Sequence, residues 1–265
     1  MQIERIIIHC ICGAILSLIA PAASAQDRPF VFSLTTRAEV TKPQVVIAYD
    51  VGAGDRAFQG GAENGPEQRV GVQASLGRWT LVGHVGVASV ASAYETSQQG
   101  EVLFSVLTPR SAGLALAVGG GVLHEAGGVD VALARVVAGR DFERWRLHGN
   151  LLFQKPLATR RDAMDLITTV GWARRLTGAV SLGVEGIGED LEGFWDPAEA
   201  EGGARVLVGP SLHIAPRRRA WQLSVAGGPT FHPSDTGRSS DARRDLPPGN
   251  RRRGYAVRSS FSVTF

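Results

Sequence analysis

The chain has 265 residues, 28 lysines and arginines against 25 acidic residues for a formal charge of +3, and an apolar content of 44% spread among 33 glycines. Length alone allows one or two domains. Only Lys42 and Lys155 are lysines, and the arginines are scattered instead of interleaved with stacking aromatics, so the basic charge is no nucleic-acid footprint.

Residues 1–25 read as a secretory signal. Arg5 supplies positive charge, partly cancelled by Glu4; residues 6–19 are mostly apolar, and Ala23, Ser24 and Ala25 fit a cleavage site. A retained helical anchor is disfavoured because the apolar run is short and Pro21 follows it. The mature chain is expected to start at Gln26 without thiol or disulfide, since Cys10 and Cys12 both lie in the signal. Beyond it no apolar run reaches the ~20 residues of a spanning helix, so a membrane protein of this composition crosses as strands. Residues 26–42, apolar from Phe30 to Leu34 and then charged, are read as a periplasmic lead-in.

From Pro43 a period of two takes over. Val45, Ile47, Tyr49 and Val51 alternate with Gln44, Ala48 and Asp50, and after a Gly- and Asn-rich loop Val70, Val72, Ala74 and Leu76 alternate with Arg69, Gly71, Gln73 and Ser75. Trp79, Leu81, Val85 and Val87 oppose Arg78, Thr80 and His84. Residues 90–100 are expected as an outer loop and 101–108 as a weaker strand. The strand near 128–138 falters at Arg135, in phase with Val131 and Leu133, and a bulge there is expected to restore the alternation. Trp145, Leu147, Leu151 and Phe153 alternate with Arg144, Arg146, His148, Asn150 and Gln154; Met164, Leu166, Val170 and Trp172 alternate with Asp165, Thr169 and Gly171. Leu182 and Val184 oppose Glu185, and Val206, Val208, Leu212 and Ile214 oppose Arg205 and His213.

Twelve strands result, near 43–51, 68–77, 78–89, 101–108, 113–123, 128–138, 143–154, 163–174, 178–188, 204–214, 220–231 and 254–265. The longest connections (52–67, 90–100, 189–203, 232–253) all fall on one side, and an even count returns both ends to the other. Trp79, Trp145, Trp172 and Trp221 each stand beside a short turn on the apolar face, where interfacial rings belong. The expected fold is therefore all-β: one transmembrane, antiparallel, up-and-down barrel over 43–265.

The final stretch alternates most cleanly. Tyr255, Val257, Phe261, Val263 and Phe265 share one face; Ala256, Arg258, Ser260, Ser262 and Thr264 share the other. Ending on an aromatic, it resembles the last strand of Gram-negative outer-membrane β-barrels. That resemblance implies that Phe261, Val263 and Phe265 form the signal read by the barrel-assembly machinery. It also implies a place in the outer membrane among lipid and lipopolysaccharide, and a role of the transport or channel type.

Out-of-phase polar residues are candidates to line the interior: Arg69, Arg78, His84, Arg144, Arg146, His148, Asp165, Glu185, Arg205, His213 and Arg258, with Asp50, Glu101 and Asp130 as further acids. A row of Arg144, Arg146, Arg205 and Arg258 would make a conducting barrel weakly anion-preferring, unless acids such as Asp165 and Glu185 cancel it. No Ser-His pairing or nucleophile elbow marks a catalytic site, and a hydrolase would need Ser or Asp with His at the outer rim. No cofactor or metal is expected: the mature chain has no cysteine and no HxxxH or HExxH, and the acidic stretch 189–203 lacks EF-hand spacing. Gly119, Gly120 and Gly121 are strand glycines, with no helix pattern after them to bind phosphate. The function expected is passage of small solutes; an enzyme acting on lipid or peptide, or a plugged structural or adhesive barrel, are the alternatives.

Overall fold

The computed structural model describes residues 29–36, 40–54, 66–90, 93–109, 113–125, 128–157, 164–189, 191–194, 204–216, 219–231 and 253–265. Twelve strands run in chain order: β1 (Val40–Gly54), β2 (Glu67–Gly77), β3 (Trp79–Val90), β4 (Ala93–Leu107), β5 (Ala115–His124), β6 (Asp130–Asp141), β7 (Trp145–Pro156), β8 (Asp165–Arg175), β9 (Val180–Glu189), β10 (Arg205–Ile214), β11 (Trp221–Phe231) and β12 (Arg253–Thr264). Each pairs antiparallel with its sequence neighbours, and β12 closes on β1 from Val46↔Thr264 to Gly54↔Ala256. Phe265 continues the seam, its N–H donating to the Val45 carbonyl at 2.8 Å and its carbonyl accepting from the Val45 N–H at 3.2 Å.

The alternation read from the sequence sets which face turns in, and the polarity is inverted relative to a water-soluble core. Ile47, Val72, Leu81, Leu147, Val170, Val208 and Val257 are exposed on the outside, whereas Gln73, Thr80, Gln154, Gln222, Thr230 and Ser262 are buried inside. An outer wall of Val, Leu and Ile suits hydrocarbon, where an inward-to-outward flip of any arginine would cost about 2–4 kcal/mol at the midplane.

Short turns gather at one end. β2 and β3 are joined through Arg78 alone, with Gly77 at a φ of +58° that an L side chain adopts only with strain. At this end Trp79, Trp145, Trp172 and Trp221 all face outward. Trp79 packs on Phe104 (ring centroids 4.8 Å apart), Trp145 stacks on Phe142 (3.4 Å) and Trp221 lies near Phe261 (6.3 Å). The signal, the acidic stretch 195–203 with Trp195, and the long connection 232–252 with His232 lie outside the described residues.

Three expectations are corrected. Residues 93–100 are strand, not loop: β3 and β4 stay paired up to Val90↔Ala93, so backbone hydrogen bonding carries the hairpin past the point where apolar alternation ends. Arg135 sits in an unbulged β6, which pairs residue for residue with β5 and β7. Val131, Leu133 and Val137 turn inward with Arg135, and small Ala132, Ala134 and Ala138 face out; the register shifts fall instead at Val40/Gln44 and Ser105/Leu107. Finally, residues 29–36, read as part of a lead-in outside the barrel, lie within it.

That inward apolar phase has a use. Leu123, Val131, Leu133, Leu152, Ile167, Ile187, Leu207 and Ala256 form an interior cluster against which Phe32 packs, and Leu34 joins a second with Val82, Leu103, Ala117 and Val137. The interior is thus part polar and part apolar, and Phe32 and Leu34 of residues 29–36 each meet one of its two apolar clusters.

Candidate functional site in the barrel interior

Four arginines inside the barrel are each met by a carboxylate. Arg69 on β2 reaches Asp50 opposite it on β1 at 2.7 Å, and Arg205 on β10 pairs with Glu189 opposite it on β9. The other two pairs span a strand: Arg135 on β6 donates from Nε and Nη2 to Glu101 on β4 at 2.7 and 2.9 Å, and Arg258 on β12 reaches Glu67 on β2 at 3.1 Å. All four arginine side chains are largely buried, so each carboxylate partner offsets the cost of taking a charge out of water, and the forked geometry at Glu101 fixes orientation as well.

The remaining candidates divide by position. His148 on β7 contacts Asp141 through Nε2 at 2.8 Å, with Arg146 Nε 3.7 Å from the same carboxylate oxygen. His213 and Ser224 are a buried cross-strand pair at 2.7 Å on β10 and β11. His84 turns inward over Gly71, and Asp165 is half-buried at the start of β8. Arg78 and Arg144 do not line the interior. Arg78 is exposed in its turn, its guanidinium 5.4 Å from the centre of the outward Phe104 ring and donating to the Val106 carbonyl; Arg144 is exposed beside the outward Trp145 and Trp172. Both stand in turns, where strand alternation no longer dictates direction. Asp130, expected inside, is exposed and pairs with His124 at 2.7 Å.

Glu67 and Glu189 fall in the expected connections 52–67 and 189–203, so strand alternation does not name them as partners. The signal was available in register: each sits one residue beyond the expected strand end, in phase with the interior face. Nor does alternation place residues 29–36 inside. There the N–H groups of Val31 and Phe32 donate to Glu185 Oε2 at 2.9 and 2.8 Å, and the Ser33 hydroxyl donates to the Thr169 hydroxyl at 2.9 Å. Asn150 clamps Leu34, accepting from its N–H at 2.7 Å and donating to its carbonyl at 2.9 Å, while Gln73 Nε2 donates to the Thr35 carbonyl at 3.1 Å. Phe30 lies 5.6 Å from the His148 ring and fills the space that a Cβ on Gly171 would take, and Arg258 stands 5.7 Å over Phe32. Among the described residues no group of three or more His, Cys, Asp or Glu is placed to hold a metal ion.

A closed, even-stranded antiparallel barrel with an apolar outside, an aromatic ring at its short-turn end and charges inside has the architecture of an outer-membrane β-barrel. Among solved structures it is similar to KdgM porin in complex with disordered oligogalacturonate (11% identity, TM-score 0.54, 83% of this chain and 99% of that one). It is likewise similar to NanC porin (8% identity, TM-score 0.54, 82% of this chain and 98% of that one). At such identities the likeness is one of fold. No family model matches the chain, and no curated protein matches it.

Proposed function

We propose that the chain is an outer-membrane channel for small solutes with a weak anion preference, exported through a cleaved signal peptide and surrounded by outer-membrane lipid and lipopolysaccharide. The observation that carries this reading is the closed twelve-stranded barrel whose interior concentrates buried charge while its exterior is apolar. Its fold is shared with KdgM porin, whose structure holds oligogalacturonate, and with NanC porin. The preference is weak because Arg69, Arg135, Arg205 and Arg258 each carry a carboxylate partner, so they present oriented dipoles more than net charge to a passing ion. Phe261, Val263 and Phe265 serve the barrel-assembly machinery from the seam strand. Liposomes containing the purified protein test the reading: swelling in small sugars, faster for an acidic monosaccharide than for a neutral one of similar size, supports it, and no swelling in any small solute, either for the wild type or with the anchors Phe30, Phe32 and Leu34 removed, contradicts it.

A plugged structural barrel is the second reading, and residues 29–36 inside the bore favour it. The two differ in whether that segment leaves.

A further inference from the structure

We propose that residues 29–36 are an autoinhibitory segment, seated across the bore, which the channel releases to conduct. The inference rests on the channel reading above and goes beyond it in naming the element that closes the path and the groups that hold it.

The segment spans the bore instead of lining one wall. Its hydrogen bonds go to β2, β7, β8 and β9, Leu34 clusters with apolar residues of β3, β4, β5 and β6, and Phe32 lies under Arg258 of β12. A solute moving along the axis meets these same groups. Above all it meets the Glu185 carboxylate, the Asn150 amide and the Gln73 amide, all buried and all committed to the segment's backbone.

The contact is built as a releasable one. Among the described residues the segment forms no β-ladder with the wall and no ion pair; it bends at 31–33 and is held by side-chain hydrogen bonds and three apolar anchors, Phe30, Phe32 and Leu34. Three buried polar atoms at this contact, Thr35 Oγ1, Gln73 Oε1 and Glu185 Oε1, find no hydrogen-bond partner among the described residues. A buried polar atom left unmatched opposes the state that buries it, so hydration of the seat on release offsets part of the lost apolar contact. The barrel itself is closed by twelve strand pairings in which the segment takes no part, so it can leave without opening the wall.

Two variants of the full chain, recorded as single channels in planar bilayers, test this. Phe30→Gly, Phe32→Gly and Leu34→Gly together remove the anchors. Ser33→Cys with Thr169→Cys, in a Cys10→Ser, Cys12→Ser background, replaces the 2.9 Å hydroxyl contact by a pair of thiols close enough to lock the segment as a disulfide. Heat-modifiable mobility on gels shows that each is folded. The anchor variant is expected to stay open at least several-fold longer, or to conduct several-fold more, than the wild type. The oxidised pair is expected to be silent, and reductant to restore wild-type current. Wild-type current that neither variant alters overturns the autoinhibitory role and leaves the channel reading standing. A silent folded anchor variant beside a conducting wild type overturns the autoinhibitory role alone, and absence of current from both overturns both.

Discussion

Arg258 and Glu67 are joined across a strand to which neither belongs. Each is in register with Gly52 of β1, and Arg258 Nη2 reaches both Glu67 oxygens, at 3.1 and 3.2 Å, over that glycine. Glu101 and Arg135 repeat the arrangement over β5, where Gly121 faces Glu101 and Gly119 faces Arg135. A Cβ on Gly52 would stand 3.5 Å from Arg258 Nε, an ordinary contact, whereas one on Gly121 would fall 2.8 Å from Glu101 Cγ and 2.0 Å from a backbone oxygen. Gly52→Ala is therefore expected to keep the wild-type unfolding midpoint in urea, Gly52→Leu to lower it by intruding on the ion pair, and Gly121→Ala to lower it by backbone crowding.

Removing one partner of a buried pair leaves the other charged and uncompensated. Arg135→Leu strands Glu101, whose side chain is fully enclosed, and is expected to cost about 3–5 kcal/mol of unfolding free energy. The double variant Arg135→Leu, Glu101→Leu is expected to recover most of that loss, since two apolar side chains need no counter-charge. A double-mutant cycle by denaturant unfolding in detergent or lipid checks both.

In a conducting barrel the same pairs are expected to bear on selectivity. Glu67→Gln removes one negative charge beside Arg258 and is expected to shift the reversal potential further toward anions; Arg258→Gln is expected to shift it toward cations. Opposite shifts of similar size mark these groups as facing the conducting path, and no shift in either places the path elsewhere.

The seam between β1 and β12 ends on the main-chain pair Val45 and Phe265. Phe265→Ser, or its deletion, is expected to lower the amount of heat-modifiable protein in outer membranes several-fold. Unchanged folded levels would deny the last residue a part in assembly.

The strand pattern carried most of the fold because a spanning strand must present apolar groups to lipid at every second position. β6 hid its phase by placing Val131, Leu133 and Val137 inside and alanines outside; the reason lies on other strands, in an interior that is itself partly apolar. β4 hid its length because Tyr94, Thr96 and Gln98 extend a hairpin beyond the apolar belt, where backbone pairing continues without alternation. Phase named Arg69, Arg205 and Arg258 but misdirected Arg78 and Arg144 and passed over Arg135, and it could not give the partners, since a pair such as Glu101 and Arg135 depends on glycines on the strand between them. Least legible was the segment 29–36. Its Phe30, Phe32 and Leu34 give a short period of two like any strand, yet they meet surfaces contributed by strands up to more than a hundred positions away.

The central claim is that this barrel passes small ions, with anions slightly favoured. Its most direct test is the zero-current potential of the purified wild-type protein in a planar bilayer under a tenfold potassium chloride gradient. The account predicts discrete current steps reversing on the anion-selective side of zero, well short of the ideal chloride potential. Steps that reverse at zero or on the cation side would contradict the anion preference, and a silent membrane, with the Phe30, Phe32 and Leu34 variant silent too, would contradict the channel.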